Sequence, residues 1–316
     1  MNLLFIADPL EHFKTTKDTT FSMMREAQRR GHRISACEPG DVHWRSGGVV
    51  QARVRPITLT GDAAAWFTEA PREQVPLKDF GAVLMRKDPP FDAEYIYATH
   101  LLEQAEREGA RVFNKPAALR DHPEKLAIME WPQFIGPTLV TRAEADIRAF
   151  HAEHRDIILK PLDGMGGMGI FRVKEDGLNL GSIVETLNQG GATSVMVQKF
   201  LPEIAEGDKR ILIIDGEPVP WVLARIPQGG EVRGNLAAGG KGVAQPITDA
   251  DRATASTIGQ ALAPRGLLLI GLDIIGTRVT EINVTSPTCF REILDQTGCD
   301  VPAIFIDALE RAVNTS

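Results

Sequence analysis

The sequence predicts an α/β chain in two parts. A doubly wound βαβ domain covers residues 1–121, and an α+β domain covers 122–316. Three observations predict this. The chain opens with a strand–helix–strand alternation. A glycine-dense loop, Gly164 to Gly169, lies between two β-favouring runs. A polar hairpin near residues 267–283 follows them.

Composition narrows the function classes. The chain has 316 residues, enough for two or three compact domains. Its hydrophobic content of 43% and charged content of 24% are ordinary for a globular protein. A net charge of −7 with no basic block argues against nucleic acid as a partner. The start, Met1 to Asp8, lacks a basic segment and reads as a first strand rather than a signal peptide. No run reaches the ~18 apolar residues of a membrane span, so the expected compartment is the cytoplasm. Cys37, Cys289 and Cys299 are odd in number and form no CxxC. Reduced thiols without assigned chemistry are expected.

In the first part, Leu3–Ala7 reads as a buried strand. Asp18 and Thr19 can cap a helix over Phe21–Arg30 that Gly31 ends, and Ile34–Cys37 is the next strand. Two β-like runs between Trp44 and Leu59 flank Gly47-Gly48 and suggest a hairpin. Ala82–Arg86 is another buried strand and runs into the polar loop Lys87–Asp92. Ligands bind at the carboxyl ends of such strands, so Arg86 and Asp88 are candidate substrate contacts, or else ordinary loop ion pairs. A helix over Ala93–Arg107 and a short strand Val112-Phe113 complete this part. Asp121-x-x-Glu124 reads as a capping box for a helix over His122–Glu130. Lys125 then falls in a first helical turn, where the dipole disfavours a cation unless an anion is near.

In the second part, Thr141-x-x-Glu144 reads as another capping box, with a helix to Glu153. The run Ile157-Ile158-Leu159-Lys160 leads into the glycine loop, and Ile170–Val173 follows it. Four glycines in six residues cost roughly 0.5–1 kcal/mol each to order, which suits a loop whose backbone approaches a phosphate. The spacing Gly164-x-Gly166-x-x-Gly169 matches a dinucleotide fingerprint, but that reading requires a helix next, and Ile170–Val173 is a strand pattern. Strand–loop–strand describes a flap over phosphates, or a surface hairpin without a ligand. There is no GxxxxGK[ST].

Leu180–Gln189 reads as a helix and Ser194–Gln198 as a strand. Arg210–Ile214 and Pro218–Ile226 flank the hairpin signal Asp215-Gly216. Gln228–Gly242 is rich in glycine and reads as a long mobile loop. Thr248–Ala263 is helical, Thr285–Thr288 is a turn, and Glu292–Gln296 and Pro302–Val313 are helical.

The hairpin Leu267–Ile275 and Arg278–Asn283 carries the clearest chemistry. Glu281 and Asn283 are two apart on a strand and share a face. With Asp273 they offer oxygen ligands suited to Mg²⁺ held together with phosphates. A strict two-residue loop, Gly276-Thr277, would pair Asp273 with Thr280 and turn it away from Glu281. The sequence therefore predicts a three-residue loop, Gly276-Thr277-Arg278, with a bulge. Lys160, Arg210 and Arg225 supply cations. Arg225, inside a strand, is either paired with a carboxylate or aimed at a phosphate. Such parts suit phosphoryl transfer, which needs positioning and fixed charge more than a nucleophile. No GxSxG, HExxH or HRD motif is present, and the seven histidines are scattered.

Together these stretches resemble a known family. Lys160–Gly167, Arg225-Ile226-Pro227, Arg233–Gly240, Gly271–Gly276, Glu281–Thr288 and Met85–Asp92 are similar to the bacterial glutathione synthetases, which are ATP-grasp ligases. The likeness covers nearly the whole chain, and its motifs are long and ordered. Met168-Gly169 departs from the pattern, where relatives carry two small residues. The resemblance implies an N-terminal domain followed by an ATP-grasp domain with mobile glycine-rich loops. It implies ATP held by Lys125, Lys160, Gly164, Gly166 and Gly167, with adenine read by Gln198, Lys199, Phe200 and Leu201 and ribose by Asp208. Asp273, Glu281 and Asn283 would hold two Mg²⁺ ions, with Mn²⁺ as a substitute.

Further roles come from the same likeness. Arg210 and Arg225 would stabilise the transferring phosphoryl group. Arg233, on a loop over Ile226–Gly242, would close over the intermediate. Asp18, Arg86, Asn235 and Ser286 are candidates for the peptide substrate. The implied substrates are γ-glutamylcysteine and glycine, joined through an acyl phosphate, in a cytoplasmic homo-tetramer. Other ATP-grasp ligases, such as those that join D-alanine or add glutamate, share the nucleotide half. A non-catalytic ATP-binding module is a further alternative, and the retained metal ligands and lid arginines weigh against it.

Overall fold

The order of elements follows from where apolar runs stop at caps and glycines. In this computed structural model, which describes residues 1–315, β1 (Asn2–Ile6) is buried from Leu3 to Ile6. The Asp18 side chain accepts from Phe21 N at 2.7 Å and starts α1 (Thr19–Arg29), as expected of a cap. β2 (Arg33–Cys37), β3 (Val42–His43), β4 (Gln51–Leu59), β5 (Phe67–Glu69), β6 (Glu73–Pro76), β7 (Ala82–Met85), α2 (Ala93–Arg107), β8 (Val112–Phe113) and α3 (Pro116–Asp121) complete the first part. Its sheet runs β3-β4-β2-β1-β7-β8, with β5 and β6 also on β4. β1 pairs in parallel with β2 and β7, and β7 with β8, as βαβ connections require. β5 and β6 are short and polar, with no apolar alternation to mark them as strands.

Two antiparallel sheets follow. The first is β9 (Thr138–Thr141), β10 (Ile157–Pro161), β11 (Phe171–Val173) and β12 (Val195–Lys199), in the order β11-β10-β12-β9. α4 (Glu144–His154) and α5 (Leu180–Asn188) cover it over a small core of Ile147, Ile157, Leu159, Val184, Val195 and Val197. β11 pairs antiparallel with β10, so the glycine loop does join two strands. The second sheet comprises β13 (Asp208–Ile214), β14 (Glu217–Ile226), β15 (Lys241–Pro246), β16 (Leu269–Ile275) and β17 (Arg278–Asn283) in the order β15-β14-β13-β16-β17. α6 (Asp249–Leu262), α7 (Phe290–Thr297) and α8 (Val301–Thr315) pack around it. Its apolar residues merge with those of the first domain in two shared cores. No helix among the described residues is long and apolar enough to cross a membrane.

Three local expectations need correction. The helix expected over His122–Glu130 is only a short tight turn over Ala127–Glu130. Glu124 caps nothing there, because its Oε1 accepts from Val284 N, Thr285 N and Thr285 Oγ1 at 2.8–3.0 Å. The second capping box is also absent: Ala143 is the N-cap of α4, and Thr141 Oγ1 bonds Ala143 N and Asp146. Finally, the stretch expected as loop to Gly242 gives way to β15 at Lys241, whose partner β14 supplies the ladder that its sequence does not advertise.

The β16–β17 hairpin departs from expectation in an informative way. Ile275 pairs with Arg278, so the turn holds only Gly276-Thr277, not three residues. A bulge lies just beyond, where Ile274 faces Val279 and Asp273 faces Glu281. The extra residue, Thr280, shifts the register by one and restores the parity that a two-residue turn alone would have removed.

Candidate active site

One face of the second sheet carries a stripe of charge. Asp208 and Arg210 are two apart on β13, so both point the same way. Arg225 on β14 is registered opposite Asp208, and Asp273 on β16 opposite Arg210. Glu281 on β17 is opposite Asp273. Cross-strand neighbours on one face are near enough to pair. Arg210 Nε donates to Asp273 Oδ1 at 2.5 Å. Arg225 Nη2 reaches Asp208 Oδ2 at 2.5 Å and Asp273 Oδ2 at 2.9 Å. Gly271 leaves the space: a Cβ there would lie 3.1 Å from Arg210 Cδ.

Arg225 is thus paired with carboxylates, one of the two roles its sequence context allowed. Burial would raise the Asp273 carboxyl, but Arg210 and Arg225 outweigh it and hold Asp273 below the usual range. Burial pushes Asp208 up to about 6 against the pull of Arg225.

Two lysines meet the stripe from other elements. Lys160, at the end of β10, is buried, and its Nζ donates to Thr280 O at 3.3 Å. Burial lowers its pKa, and Glu281 opposes the shift. Lys125 Nζ donates to Gly164 O at 2.6 Å and pairs with Glu281 Oε1 at 2.9 Å. No helix begins at Lys125, so no dipole calls for an anion there; Glu281 is instead the partner that a buried lysine needs. Lys125 also ties the glycine loop to the carboxylate hairpin.

Two clefts adjoin this stripe, with empty volumes of about 950 and 850 Å³. The first has apolar walls from Ile158, Ile170, Ile204, Ile275 and Val279, and it takes in Gln198 to Leu201 and Asp208. Arg172 lies 3.4 Å from the Phe200 ring centroid and holds that ring against the wall. Lys199 N and Phe200 N already donate to Pro137 O and Asp156 O. Asp208 Oδ1 is buried without a hydrogen-bond partner and is open to a donor.

The second cleft is lined by Arg210, Arg225, Asn283, Ser286, Cys289 and Asp88, among others. Met165, Gly166, Asn235 and Glu281 line both clefts. Glu124 and Cys289 are lining residues that the sequence reading did not assign. Only a long-range contact, Glu124 with Val284 and Thr285, marks the former.

The two glycine-rich loops touch above the junction. Arg233 Nη1 donates to Gly167 O at 3.3 Å. Gly166, Gly167 and Gly169 all have positive φ. A Cβ on Gly167 would lie 2.7 Å from Asn235 Oδ1, so a larger residue there must displace the Asn235 side chain. Asp18 and Arg86 line neither cleft. Asp18 caps α1, and Arg86 is buried behind the wall, donating to Thr20 Oγ1 and Pro287 O.

The donor set fits a hard divalent cation. Glu281 and Asn283 present oxygens toward the clefts, and Asp273 adjoins them. Mg²⁺ is usually held by one or two carboxylates together with substrate phosphates. It does not need a full protein cage, and no group of three or more His, Cys, Asp or Glu among the described residues forms one.

Comparisons with known proteins identify the family. Residues 1–120 match the family description "Prokaryotic glutathione synthetase, N-terminal domain", and residues 124–298 match "Prokaryotic glutathione synthetase, ATP-grasp domain". A glutathione synthetase of Ralstonia nicotianae is 57% identical over 312 residues, covering 99% of this chain and 96% of its own. One from Nitrosomonas europaea is 56% identical over 317 residues, covering 99% and 98%. Among solved structures, the D-cycloserine synthetase DcsG superposes with a TM-score of 0.69 at 17% identity, covering 98% of this chain and 99% of its own. At that identity the likeness concerns the fold.

Proposed function

The chain belongs to the prokaryotic glutathione synthetase family, and from that premise we propose how its residues join γ-glutamylcysteine to glycine. It is an ATP-dependent carboxylate–amine ligase. The observation that carries the residue assignment is the charged stripe at the junction of two clefts: the first takes in Lys125, Lys160 and Asp208 beneath the glycine-rich loops, and the second takes in Arg210, Arg225 and Asn283.

ATP lies with adenine against Phe200 and Leu201, ribose at Asp208, and phosphates between Lys125, Lys160 and the glycine loop. The cysteinyl carboxylate of γ-glutamylcysteine enters from the second cleft. Its oxygen attacks the γ-phosphorus, an O–P bond forms, and the bond to ADP breaks. Arg210 and Arg225 neutralise charge on the transferring group. The amine of glycine, having lost a proton, then attacks the acyl carbonyl, and phosphate leaves. Glu281, Asn283 and Asp273 would hold Mg²⁺, which when bound screens the phosphate charge and aligns the nucleotide.

An acyl phosphate hydrolyses in water, so the Gly167–Arg233 contact has a purpose as a seal. Trypsin should cleave at Arg233 in the free protein and be blocked by nucleotide plus substrate. Equal cleavage in both states would remove the seal from the account. The function is tested by phosphate release from ATP, which should require both γ-glutamylcysteine and glycine. Release with D-alanine alone would move the protein to another branch of the ATP-grasp ligases. No release with any acceptor would make it a binding module.

A further inference from the structure

We propose that Asp88 anchors the α-ammonium group of the γ-glutamyl residue and so selects a dipeptide with a free α-amine. The proposal rests on the function stated above and adds the recognition of the non-reacting end. Asp88 follows β7, at the carboxyl end of a parallel strand, where such sheets present ligand contacts.

Three carboxylates line the second cleft among the described residues: Asp88, Glu124 and Glu281. Glu281 is paired with Lys125, and Glu124 accepts three hydrogen bonds from Val284 and Thr285. Asp88 forms no ion pair with any described residue. It is nevertheless held in place. Ser286 Oγ donates to Asp88 Oδ1, and Asp88 N donates to Asp8 Oδ2 at 3.0 Å. The adjacent cation, Lys87, is engaged elsewhere, with Asp8 Oδ1 at 2.8 Å. Arg86 is buried behind the wall on Pro287 O. The result is a fixed, exposed carboxylate that lines the cleft with no direct ion pair; buried Arg86 acts on it only through space, its hydrogen bonds going to Thr20 Oγ1 and Pro287 O.

The length of the substrate fits. Extended backbone advances about 3.3 Å per residue, so Ser286 lies within about 10 Å of Asn283. From carboxyl carbon to α-nitrogen, γ-glutamylcysteine spans about 9 Å when extended, taking bonds near 1.5 Å. With its reacting carboxylate at Glu281 and Asn283, the dipeptide is long enough for its ammonium to meet Ser286 and Asp88 on the same cleft. The amine of glycine is not the occupant, because it must be neutral and placed at the opposite end, beside the acyl carbon. A dipeptide lacking the α-amine would leave Asp88 covered and unpaired, which is how a polar site rejects such an analogue.

The test compares γ-glutamylcysteine with glutarylcysteine, its desamino analogue, in the unmodified protein, Asp88→Asn and Ser286→Ala. A charge-assisted hydrogen bond is lost in each case, so kcat/KM should fall about 10- to 100-fold for the analogue in the unmodified protein. It should fall by a similar factor for the natural dipeptide in Asp88→Asn, mostly through KM, with KM for ATP unchanged. Asp88→Asn should lose little further with the analogue, and Ser286→Ala should lie between. Nucleotide-induced thermal stabilisation equal to that of the unmodified protein shows that the variant is folded. Independent, multiplying losses, or an unchanged KM in Asp88→Asn, would overturn the proposal while leaving the ligase function standing. Absence of turnover in the unmodified protein would instead overturn the function itself.

Discussion

The contact between the two loops can be broken by one methyl group. Gly167 has φ +84°, and a Cβ there would lie 2.7 Å from Asn235 Oδ1 and 3.3 Å from Arg233 Cδ. Gly167→Ala therefore has two costs. The left-handed backbone costs an alanine about 1 kcal/mol wherever it occurs. Restoring an ordinary separation moves the Asn235 side chain by roughly 0.7 Å, and because that side chain is on a half-buried loop the cost is at the low end of overpacking, about 1 kcal/mol. Only the second cost acts on the joined loops, and it lowers their population by roughly 5-fold.

The assay is the ratio of phosphate released to glutathione formed. That ratio should stay near one in the unmodified protein and rise well above one in Gly167→Ala, as acyl phosphate meets water before glycine. Gly190→Ala is the control, because Gly190 also has positive φ (+66°) but nothing within 4 Å of its Cβ position. It should lose similar stability and keep the ratio. A Gly167→Ala protein with unchanged coupling would refute the seal, and uncoupling in Gly190→Ala would trace the effect to backbone strain instead.

Two other outcomes follow from the charged stripe. Asp273→Asn leaves Arg210 buried without its ion partner and should cost about 3–5 kcal/mol in denaturant unfolding as well as abolishing ATP cleavage. Adding Arg210→Gln should recover part of the stability but none of the activity; recovery of activity would remove both residues from the chemistry. Asp208 titrates near 6 when folded, against about 3.9 unfolded, so the folded state holds its proton longer. Its contribution is present below about pH 4 and is lost as the pH rises through about 6. The unfolding free energy of the unmodified protein relative to Asp208→Asn should therefore decline across that window; a flat difference would contradict the burial argument.

Much of this site was legible in the sequence because its parts are local. The strand–glycine loop–strand reading needed only β-branched residues after Gly169, and β11 bears it out. The shared face of Glu281 and Asn283 follows from the strand period alone. What could not be read depends on distant partners. The sequence argument placed Asp273 beside Glu281 correctly but through the wrong loop, because a bulge at Thr280 does what a longer turn would have done. Glu124 resembled a helix cap, yet its partners lie 160 and 161 residues away. β15 is poor in large apolar residues and exists because β14 offers it a ladder. The end of β7 pointed to Arg86 and Asp88 together as substrate contacts. Only Asp88 lines the cleft, while Arg86 donates to Pro287 O behind it. Asp18, a substrate candidate by resemblance alone, caps α1 as its local sequence suggests.

The central claim is that the sheet face from Arg225 to Asn283 transfers a phosphoryl group to the cysteinyl carboxylate. Turnover of γ-glutamylcysteine labelled with heavy oxygen in that carboxylate tests it most directly. The account requires one labelled oxygen to appear in the released phosphate for each glutathione formed. Unlabelled phosphate, with glutathione still produced, would contradict it.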